Sequence, residues 1–515
     1  MNAHDAAALL VEQGFLAKPF GPSGAVRAGT AGGGPVYPDS LFRREAALFG
    51  MARLEEGKRV LVLAAQGEPA GDFAGESGRG PGYVFKSCPL TAENAAALRA
   101  AFPWTAAVSL ADRKTTIGCG DRLGRATPGH LRAVRKFQVS PVLAQQSIRE
   151  LTLTGRTFHD VLNDASFLVF QCGYTEGYGA DADHLKTLEH IAAALDCGMA
   201  MITLDLSEVM RADLAEADPR RIEQEFRRLP ANVQARVLRE YAGRTFELKT
   251  RAGRASVTLD PAAARLCAVM YTPARDFAHR VHALLVARRG AGRFDLEMSI
   301  DETTTPTLPA HHLFIVRELR ERGVTVVSLA PRFIGEFQKG IDYVGDVEEF
   351  TRQFTAHAVI AQAHGDYKIS IHSGSDKFSI FPVIGRLTGG RLHEKTAGTS
   401  WLEAVRLVAV RAPALYRRIH ETALRRLPEA QKLYHITPDL GRIPALDRLT
   451  DAELPAMLDQ DAPRQVLHVA YGFVLKDPGL KADLFAALDG GEEDYYAMLD
   501  RHFTRHLKGL GIPDR

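Results

Sequence analysis

The feature that most constrains the fold is an alternation of short β-rich runs with amphipathic stretches between Thr105 and Ala412. In the stretches at 309–323 and 346–363, apolar residues recur every three or four positions, which predicts helices with one face packed on a sheet. The β-rich runs lie at 105–110, 140–146, 167–172, 201–206, 293–300, 324–330, 367–372 and 391–396. This order is typical of parallel β/α architecture. Eight strands favour a closed (β/α)8 barrel of the TIM type, and an open doubly wound sheet is the alternative.

Three segments lie outside the alternation and predict the domain organisation. Residues 1–104 contain a glycine-rich stretch (Gly21–Gly34) and an apolar run, and they predict a small N-terminal α/β unit. Residues 209–292 contain helical patterns around a β pair, and they predict an insertion between strands four and five of a barrel that spans 105–412. Residues 413–515 predict a helical C-terminal region. A chain of 515 residues is long enough for two or three packed units.

Charge and cysteine usage exclude several classes of protein. A net charge of +2 without a basic stripe gives no reason to expect nucleic acid as a partner. The five cysteines are scattered and contain no C-x-x-C pair, which argues against a disulfide framework and for a reducing compartment. The N-terminus does not resemble a signal peptide, and no apolar run approaches the roughly 20 residues that span a bilayer. We therefore expect a cytoplasmic protein with no membrane partner; whether it forms a homo-oligomer is left open.

Acidic residues mark the predicted strand ends, where barrels of this kind place reactive groups. In the fifth run, Asp295, Glu297 and Asp301 alternate with apolar residues, so the acidic face should point into the barrel. Buried carboxylates are costly without cations or hydrogen-bond partners. The fourth run ends in Asp205, close to the same edge.

Asp181, Asp183 and His184 follow the third run, and we expect them where the next helix begins. Asp181 alone also suits an N-terminal helix cap.

Basic and metal-binding side chains come from strands seven and eight. Lys368 and His372 share one face of the seventh run, and the eighth contributes His393, Glu394 and Lys395. Histidines at different strand ends beside carboxylates suit a divalent ion such as zinc, manganese or nickel. The alternative is a structural ion-pair network with hydrogen-bonded histidines.

The loop after strand six, 330–346, is long and suits an anionic, hydroxylated ligand. The glycines of GCGDRLG (118–124) lack the G-x-G-x-x-G spacing, which argues against a dinucleotide site. His311 and His312 fall within a predicted outer helix, where we expect them at the surface or in packing.

Three segments, YKISIHSGSDKFSIFPVIGRL (367–387), MSIDETTTPT (298–307) and APRFIGEFQKGIDYVGD (330–346), resemble the tagaturonate/fructuronate epimerase family. The resemblance covers the barrel from about residue 137 to 401 and weakens beyond both ends. Members of that family interconvert tagaturonate and fructuronate with a divalent metal, and some relatives act on tagatose and fructose.

The resemblance implies roles for particular residues. Asp183 and Glu297 resemble the proton-transfer pair, His184 and His372 resemble metal ligands, and Gln338 is a weaker third ligand. The implied cofactor is a divalent cation (zinc, manganese, nickel or cobalt), and the implied partner is a small sugar acid or ketose. The expected substrate-binding residues are Gln146, Asp301, Glu302, Arg332, Lys339, Tyr343, Lys377 and Lys395.

The reaction itself restricts the mechanism. The two ketouronates differ at a hydroxylated carbon two bonds from the ketone carbon, so simple enolisation cannot invert it. One route is retro-aldol cleavage, rotation of the aldehyde and re-addition, assisted by a metal and by acid/base groups. The other is transient oxidation by a nicotinamide, for which the sequence offers no cofactor site, so we favour the first. A metal-dependent sugar aldolase and a non-catalytic sugar-binding protein are the competing functions.

Overall fold

The computed structural model describes residues 1–17, 35–67, 71–303 and 305–515; the stretch Gly21–Gly34 lies outside this part of the chain. The helices are α1 (Ala3–Glu12), α2 (Ala92–Ala101), α3 (Thr127–Val134), α4 (Ile148–Thr154), α5 (Phe158–Gln171), α6 (Leu188–Cys197), α7 (Pro219–Arg227), α8 (Ala231–Glu240), α9 (Pro261–Arg289), α10 (Pro309–Glu321), α11 (Val347–Ala363), α12 (Phe381–Thr388), α13 (Thr399–Arg411), α14 (Pro413–Ala430), α15 (Asp461–Val469), α16 (Tyr471–Lys476), α17 (Pro478–Gly490) and α18 (Glu492–Gly509). The strands are β1 (Phe42–Arg44), β2 (Ala47–Leu54), β3 (Gly57–Ala64), β4 (Glu76–Gly80), β5 (Tyr83–Pro89), β6 (Thr115–Cys119), β7 (Ser140–Ser147), β8 (Gly179–Leu185), β9 (Met201–Asp205), β10 (Arg244–Thr250), β11 (Gly253–Leu259), β12 (Asp295–Ile300), β13 (Ser328–Pro331), β14 (Lys368–Ile371) and β15 (Leu392–Thr396).

The chain divides into two compact units. One consists of 1–107 with 159–178, and the other of 108–158 with 179–515. The boundaries that we placed after residues 104 and 412 stay predictions.

The smaller unit is built on an antiparallel sheet with the order β1-β2-β3-β5-β4. Alternate side chains of β3 enter two apolar clusters, because successive residues of a strand point to opposite faces. Helix α1 contributes to the first cluster, and Phe167 and Phe170 of α5 contribute to the second. The prediction of a barrel strand at 167–172 was therefore wrong. A short apolar run does not distinguish a buried strand from a buried helix.

The larger unit contains a closed barrel of parallel strands in the order β12-β13-β14-β15-β6-β7-β8-β9, which confirms the predicted (β/α)8 fold. The predicted runs at 140–146, 201–206, 293–300, 324–330, 367–372 and 391–396 all overlap barrel strands. The insertion is also confirmed: α7, α8, the β10–β11 hairpin and α9 lie between the fourth and fifth barrel strands.

The first and third barrel strands differ from the prediction. The first is β6 rather than 105–110, and the third is β8, in the segment that we expected to be a loop and a helix start. The strand β6 is only five residues long and ends in Gly118 and Cys119, and β8 contains small residues such as Ala180 and Ala182 and no β-branched residue, so neither forms a long β-rich run. Asp181 consequently lies inside a strand and caps no helix.

After α13 the chain is helical, as predicted. His311 and His312 lie in α10 and are buried, and His312 Nδ1 is 2.9 Å from His357 Nδ1. No disulfide joins any of the five cysteines, all of which lie in the described part of the chain. Within the described residues, no helix combines the length and the apolar character needed to cross a membrane.

Candidate active site

A cavity of about 450 Å³ lies at the C-terminal ends of the barrel strands. Its wall includes Asp183, His184, Asp205, His372 and Lys395, so five of the groups that the sequence singled out meet in one place. They come from β8, β9, β15 and the loop after β14, because parallel strands of a barrel end at one edge. A second cavity of similar volume shares Asp301, Glu302, Lys339 and His372 with the first.

An irregularity in β8 places two adjacent side chains on the cavity wall. The pairing of β8 with β9 shifts register between Ala182 and Leu185, and His184 has a φ of +55°. Neighbours in a regular strand point to opposite faces, whereas a bulge redirects a side chain. As a result, both Asp183 and His184 face the cavity.

The Lys395 ammonium joins three carboxylates beneath the cavity. Its Nζ lies 2.8 Å from Asp181, 2.7 Å from Asp183 and 2.9 Å from Glu297. It also donates to the hydroxyl of Thr203, at 2.5 Å. These contacts use all the donors of the ammonium. Lys395 is therefore bound to both members of the predicted proton-transfer pair and has no donor left for a substrate.

Asp183 and Glu297 differ in their access to the cavity. Asp183 lies on the wall, whereas Glu297 is fully buried just below it. Glu297 accepts hydrogen bonds from Ser328 at 2.5 Å and from His372 Nε2 at 2.8 Å.

The two histidines predicted as metal ligands lie side by side, with ring centroids 4.8 Å apart. His184, His372 and Asp301 each offer a ligand atom within 4.8 Å of the others, and His184, Asp205 and Glu302 form an overlapping group. His372 Nδ1 is 3.1 Å from Asp301, and His184 Nδ1 is 3.4 Å from Asp205. Two imidazoles and a carboxylate are suitable donors for a divalent transition metal.

The buried charges perturb one another's pKa. Burial raises the pKa of Asp181 to about 6. It acts in the same direction on Asp183, but Lys395 and His184 outweigh it and lower that pKa to about 2. Burial disfavours protonated His372, but Asp301 and Glu297 outweigh it and raise the pKa of His372 to about 10. The carboxylates thus attract positive charge to the His372 side of the cavity.

Gln338 lines the second cavity, as His372 does, and its role as a third metal ligand stays a prediction. Its Oε1 accepts hydrogen bonds from the backbone N–H of Thr437 at 3.0 Å and from Gln465 at 2.7 Å. The side chain is buried between the loop after β13 and the C-terminal region.

Three residues that we expected to bind substrate donate hydrogen bonds to backbone carbonyl groups instead. Lys377 Nζ donates to the carbonyls of Gln338, Ile341 and Ser375, at 2.9, 2.6 and 3.0 Å. The Tyr343 hydroxyl donates to the Ile334 carbonyl, and Arg332 donates to the Thr303 carbonyl.

Other inward-facing polar groups lie away from the cavity wall. Asp295 accepts from Ser109 at 2.5 Å and from the Leu110 N–H at 2.8 Å. Lys368 donates to the Leu110 carbonyl, and His393 Nδ1 is 2.9 Å from the Thr116 hydroxyl.

Gln145 lines the cavity although the sequence did not single it out, whereas the expected Gln146 donates to the Asp121 carbonyl at 3.3 Å. Gln145 is fully buried, and both polar atoms of its amide lack a hydrogen-bond partner among the described residues. An ideal Cβ at Gly118 would lie 1.6 Å from Gln145 Oε1, so the glycine provides the space for this amide. The signal that could have found Gln145 is the register of β7, in which Gln145 pairs with the inward-facing Asp181.

The chain matches known proteins over most of its length. Residues 37–510 match the family model described as tagaturonate epimerase, UxaE. The chain is 40% identical over 472 residues to the tagaturonate/fructuronate epimerase of Thermotoga maritima, and the match covers 92% of this chain and 96% of that protein.

Solved structures agree with this match. The native crystal structure of the fructuronate-tagaturonate epimerase UxaE from Cohnella laeviribosi has a TM-score of 0.88 and 40% identity, with coverage of 99% of this chain and 100% of that one. The same enzyme with one glycerol bound has a TM-score of 0.87 and 42% identity, with coverage of 93% and 96%.

Proposed function

The chain belongs to the tagaturonate epimerase family, and we propose that it interconverts tagaturonate and fructuronate in the cavity at the C-terminal ends of the barrel strands. The observation that carries this proposal is the family match over residues 37–510, which contains every residue of the cavity wall. The cavity is large enough for a six-carbon sugar acid, since small-ligand pockets start at about 300 Å³.

The reaction inverts a carbon whose hydrogen is not acidified by the ketone. We favour cleavage of the bond between that carbon and the carbon next to the ketone. Removal of the hydroxyl proton converts the hydroxylated carbon into an aldehyde, and the electron pair of the broken bond forms an enediolate on the ketone fragment. Rotation of the aldehyde and re-addition of the enediolate then form the opposite configuration, and the alkoxide takes up a proton.

In this scheme Asp183 removes the hydroxyl proton, and the proton passes through the Lys395 ammonium to Glu297, which returns it to the alkoxide after the aldehyde has rotated. Asp183 lies on the cavity wall, and Lys395 holds its carboxylate in the ionised, proton-accepting form. Glu297 is the second proton-transfer group, and the Lys395 Nζ links it to Asp183 with contacts of 2.9 and 2.7 Å.

A divalent ion fits the donors beside the two carboxylates, since His184 Nε2 lies 3.7 Å from Asp183 and His372 Nε2 lies 2.8 Å from Glu297. We assign its binding to His184, His372 and Asp301, with Asp301 in the role that the resemblance implies for Gln338. Such an ion supplies a Lewis acid for the ketone and the neighbouring hydroxyl group. The residues around it orient the sugar so that the carbon to be inverted faces Asp183.

The test is an assay of purified, chelator-treated protein reloaded with zinc, manganese, nickel or cobalt. Tagaturonate should yield fructuronate in the ¹³C NMR spectrum, and fructuronate should yield the same final mixture. Absence of the epimer with all four metals contradicts the proposal. Release of three-carbon products, trapped by a coupled reductase, would instead indicate an aldolase.

A further inference from the structure

Most cations on the cavity wall already have a carboxylate partner. Lys395 contacts three carboxylates, as described above. Arg122 lies 2.7 Å from Glu150 and stacks on the Tyr471 ring. These two side chains are buried, and their charges are neutralised inside the protein.

The remaining paired cations are nearer the solvent. Lys186 Nζ lies 3.2 Å from Glu208 and 3.6 Å from Asp205. Arg149 lies 3.6 Å from Glu302. A substrate carboxylate would compete with acidic side chains at either position.

Lys339 differs from these four cations. Its Nζ donates to the Ser373 hydroxyl at 2.6 Å, and no carboxylate among the described residues lies within 4.0 Å of it. Lys339 and Ser373 line both cavities, and Lys339 is only partly buried, so its ammonium is accessible to a ligand. Partial burial of an ammonium without a counter-ion costs free energy, and binding of an anion would offset that cost.

Buried cations fix the backbone on either side of Lys339. Lys377 donates to the carbonyls of Gln338 and Ile341, and Arg464 Nε donates to the Gly340 carbonyl at 2.8 Å. The Lys339 side chain therefore starts from a rigid backbone, which reduces the entropy lost when it binds a ligand.

We propose that Lys339, together with the Ser373 hydroxyl, binds the carboxylate of the substrate and determines the preference of the site for a ketouronate over the neutral ketose, an inference that rests on the proposed function. In an extended ketouronate the ketone and carboxylate carbons are four bonds apart, about 5 Å. His372, at the ketone end, directly precedes Ser373 in the sequence.

The experiment compares tagaturonate with tagatose, which carries a CH₂OH group in place of the carboxylate. Lys339→Gln should lower kcat/KM for tagaturonate about 100-fold, mainly through KM, and change kcat/KM for tagatose less than about threefold. Lys339→Arg should recover most of the preference, because the charge is retained. Lys186→Gln is the matched control, and any loss that it causes should be equal for the two sugars.

Calorimetric binding of each sugar to wild type and Lys339→Gln provides a readout that does not need turnover. If no epimer forms but tagaturonate binds wild type about 100-fold tighter than the variant, the carboxylate site stands and the proposed reaction fails. If Lys339→Gln weakens the binding of tagaturonate and of tagatose equally, Lys339 has a structural role and the inference is overturned. The inference also fails if wild type binds tagaturonate no tighter than tagatose, or if Arg332→Gln rather than Lys339→Gln removes the preference.

Discussion

His184 has a φ of +55°, in a backbone region that few residues other than glycine adopt. This conformation lies at the register shift of β8 and turns His184 to the same side as Asp183. The alternation of GADADHL alone would assign only one of these neighbours to the inside of the barrel. Such local strain is typical of functional sites, and sequence periodicity does not reveal it.

The amide variants Asp183→Asn and Glu297→Gln test the proton-transfer pair. Each keeps the shape of the side chain but cannot exchange a proton, so turnover of tagaturonate should fall about 100-fold or more. Metal content should stay near the wild-type value, whereas the melting temperature should fall, because the amide NH2 would face groups that donate to the carboxylate in the wild type.

Loss of bound metal in either variant would reassign that carboxylate as a ligand. Full activity of Glu297→Gln would transfer its role to Asp301 or Glu302, which line the cavity.

The variant Gly118→Ala tests the role of the Gln145 amide. The added Cβ would overlap Gln145 Oε1, so the amide must move, and we expect kcat/KM for tagaturonate to fall at least about 10-fold. Gly490→Ala is the control, since its Cβ would meet no atom within 4 Å. Unchanged kinetics in Gly118→Ala would exclude a contribution of Gln145 to substrate positioning.

At the scale of elements, the C-terminal helices hold the loop that carries His372. Asp376 of that loop has a φ of +66° and accepts a hydrogen bond from Arg464 of α15 at 2.6 Å. Its other oxygen lies 2.8 Å from His502 Nε2 in α18, and His502 Nδ1 lies 3.3 Å from Glu403 in α13. Helices far along the chain thus stabilise the backbone next to the cavity.

This cluster predicts a pH dependence of stability. Burial disfavours protonated His502, but Asp376 and Glu403 outweigh it and raise the pKa of His502 to about 9, against about 6.5 in the unfolded chain. Because the folded state holds the proton more tightly, the stabilisation of about 3 kcal/mol is fully present below pH 6.5 and is lost as the pH rises through 9.

The measurement is the melting temperature at pH 6.5 and pH 9.5. The melting temperature of wild type should fall further between pH 6.5 and pH 9.5 than that of His502→Gln. The control is His279→Gln, because His279 is exposed. Parallel losses in wild type and His502→Gln would show that His502 does not carry the effect.

The elements differ in how far their sequences predict them. The run 201–206 is mostly apolar and the run 293–300 alternates acidic with apolar residues, and both are barrel strands. The strand β6 gives a weak signal because it is only five residues long, and β8 gives one because it contains no β-branched residue and becomes a strand through its neighbours in the barrel. Glu297 and His372 were predicted from face alternation. The hydrogen bond of 2.8 Å between them, and the contacts of Lys395 with three carboxylates, depend on the register of the barrel strands. A single sequence does not specify that register.

At the scale of the whole molecule, six of the eight barrel strands, the insertion and the helical C-terminal region follow from the order of the patterns along the chain. The C-terminal region also contributes Tyr434 to the cavity wall. This contribution could not be predicted from the sequence, because a long-range contact of this kind has no local pattern.

Metal binding should stabilise the larger unit. An ion present at 100 times its Kd adds about 2.7 kcal/mol to the free energy of unfolding, so its addition to chelated protein should raise the melting temperature and restore activity. His372→Ala should abolish both effects. A melting temperature that responds equally in His372→Ala would place the ion elsewhere.

The central claim is that one cavity holds both the proton-transfer carboxylates and the metal ligands. Anomalous diffraction from crystals of active, zinc-loaded protein tests it most directly. The predicted result is a single peak about 2.0–2.2 Å from an imidazole nitrogen of His184, an imidazole nitrogen of His372 and a carboxylate oxygen of Asp301. Active crystals whose ion lies elsewhere, with the two imidazoles sharing no metal, would contradict the claim.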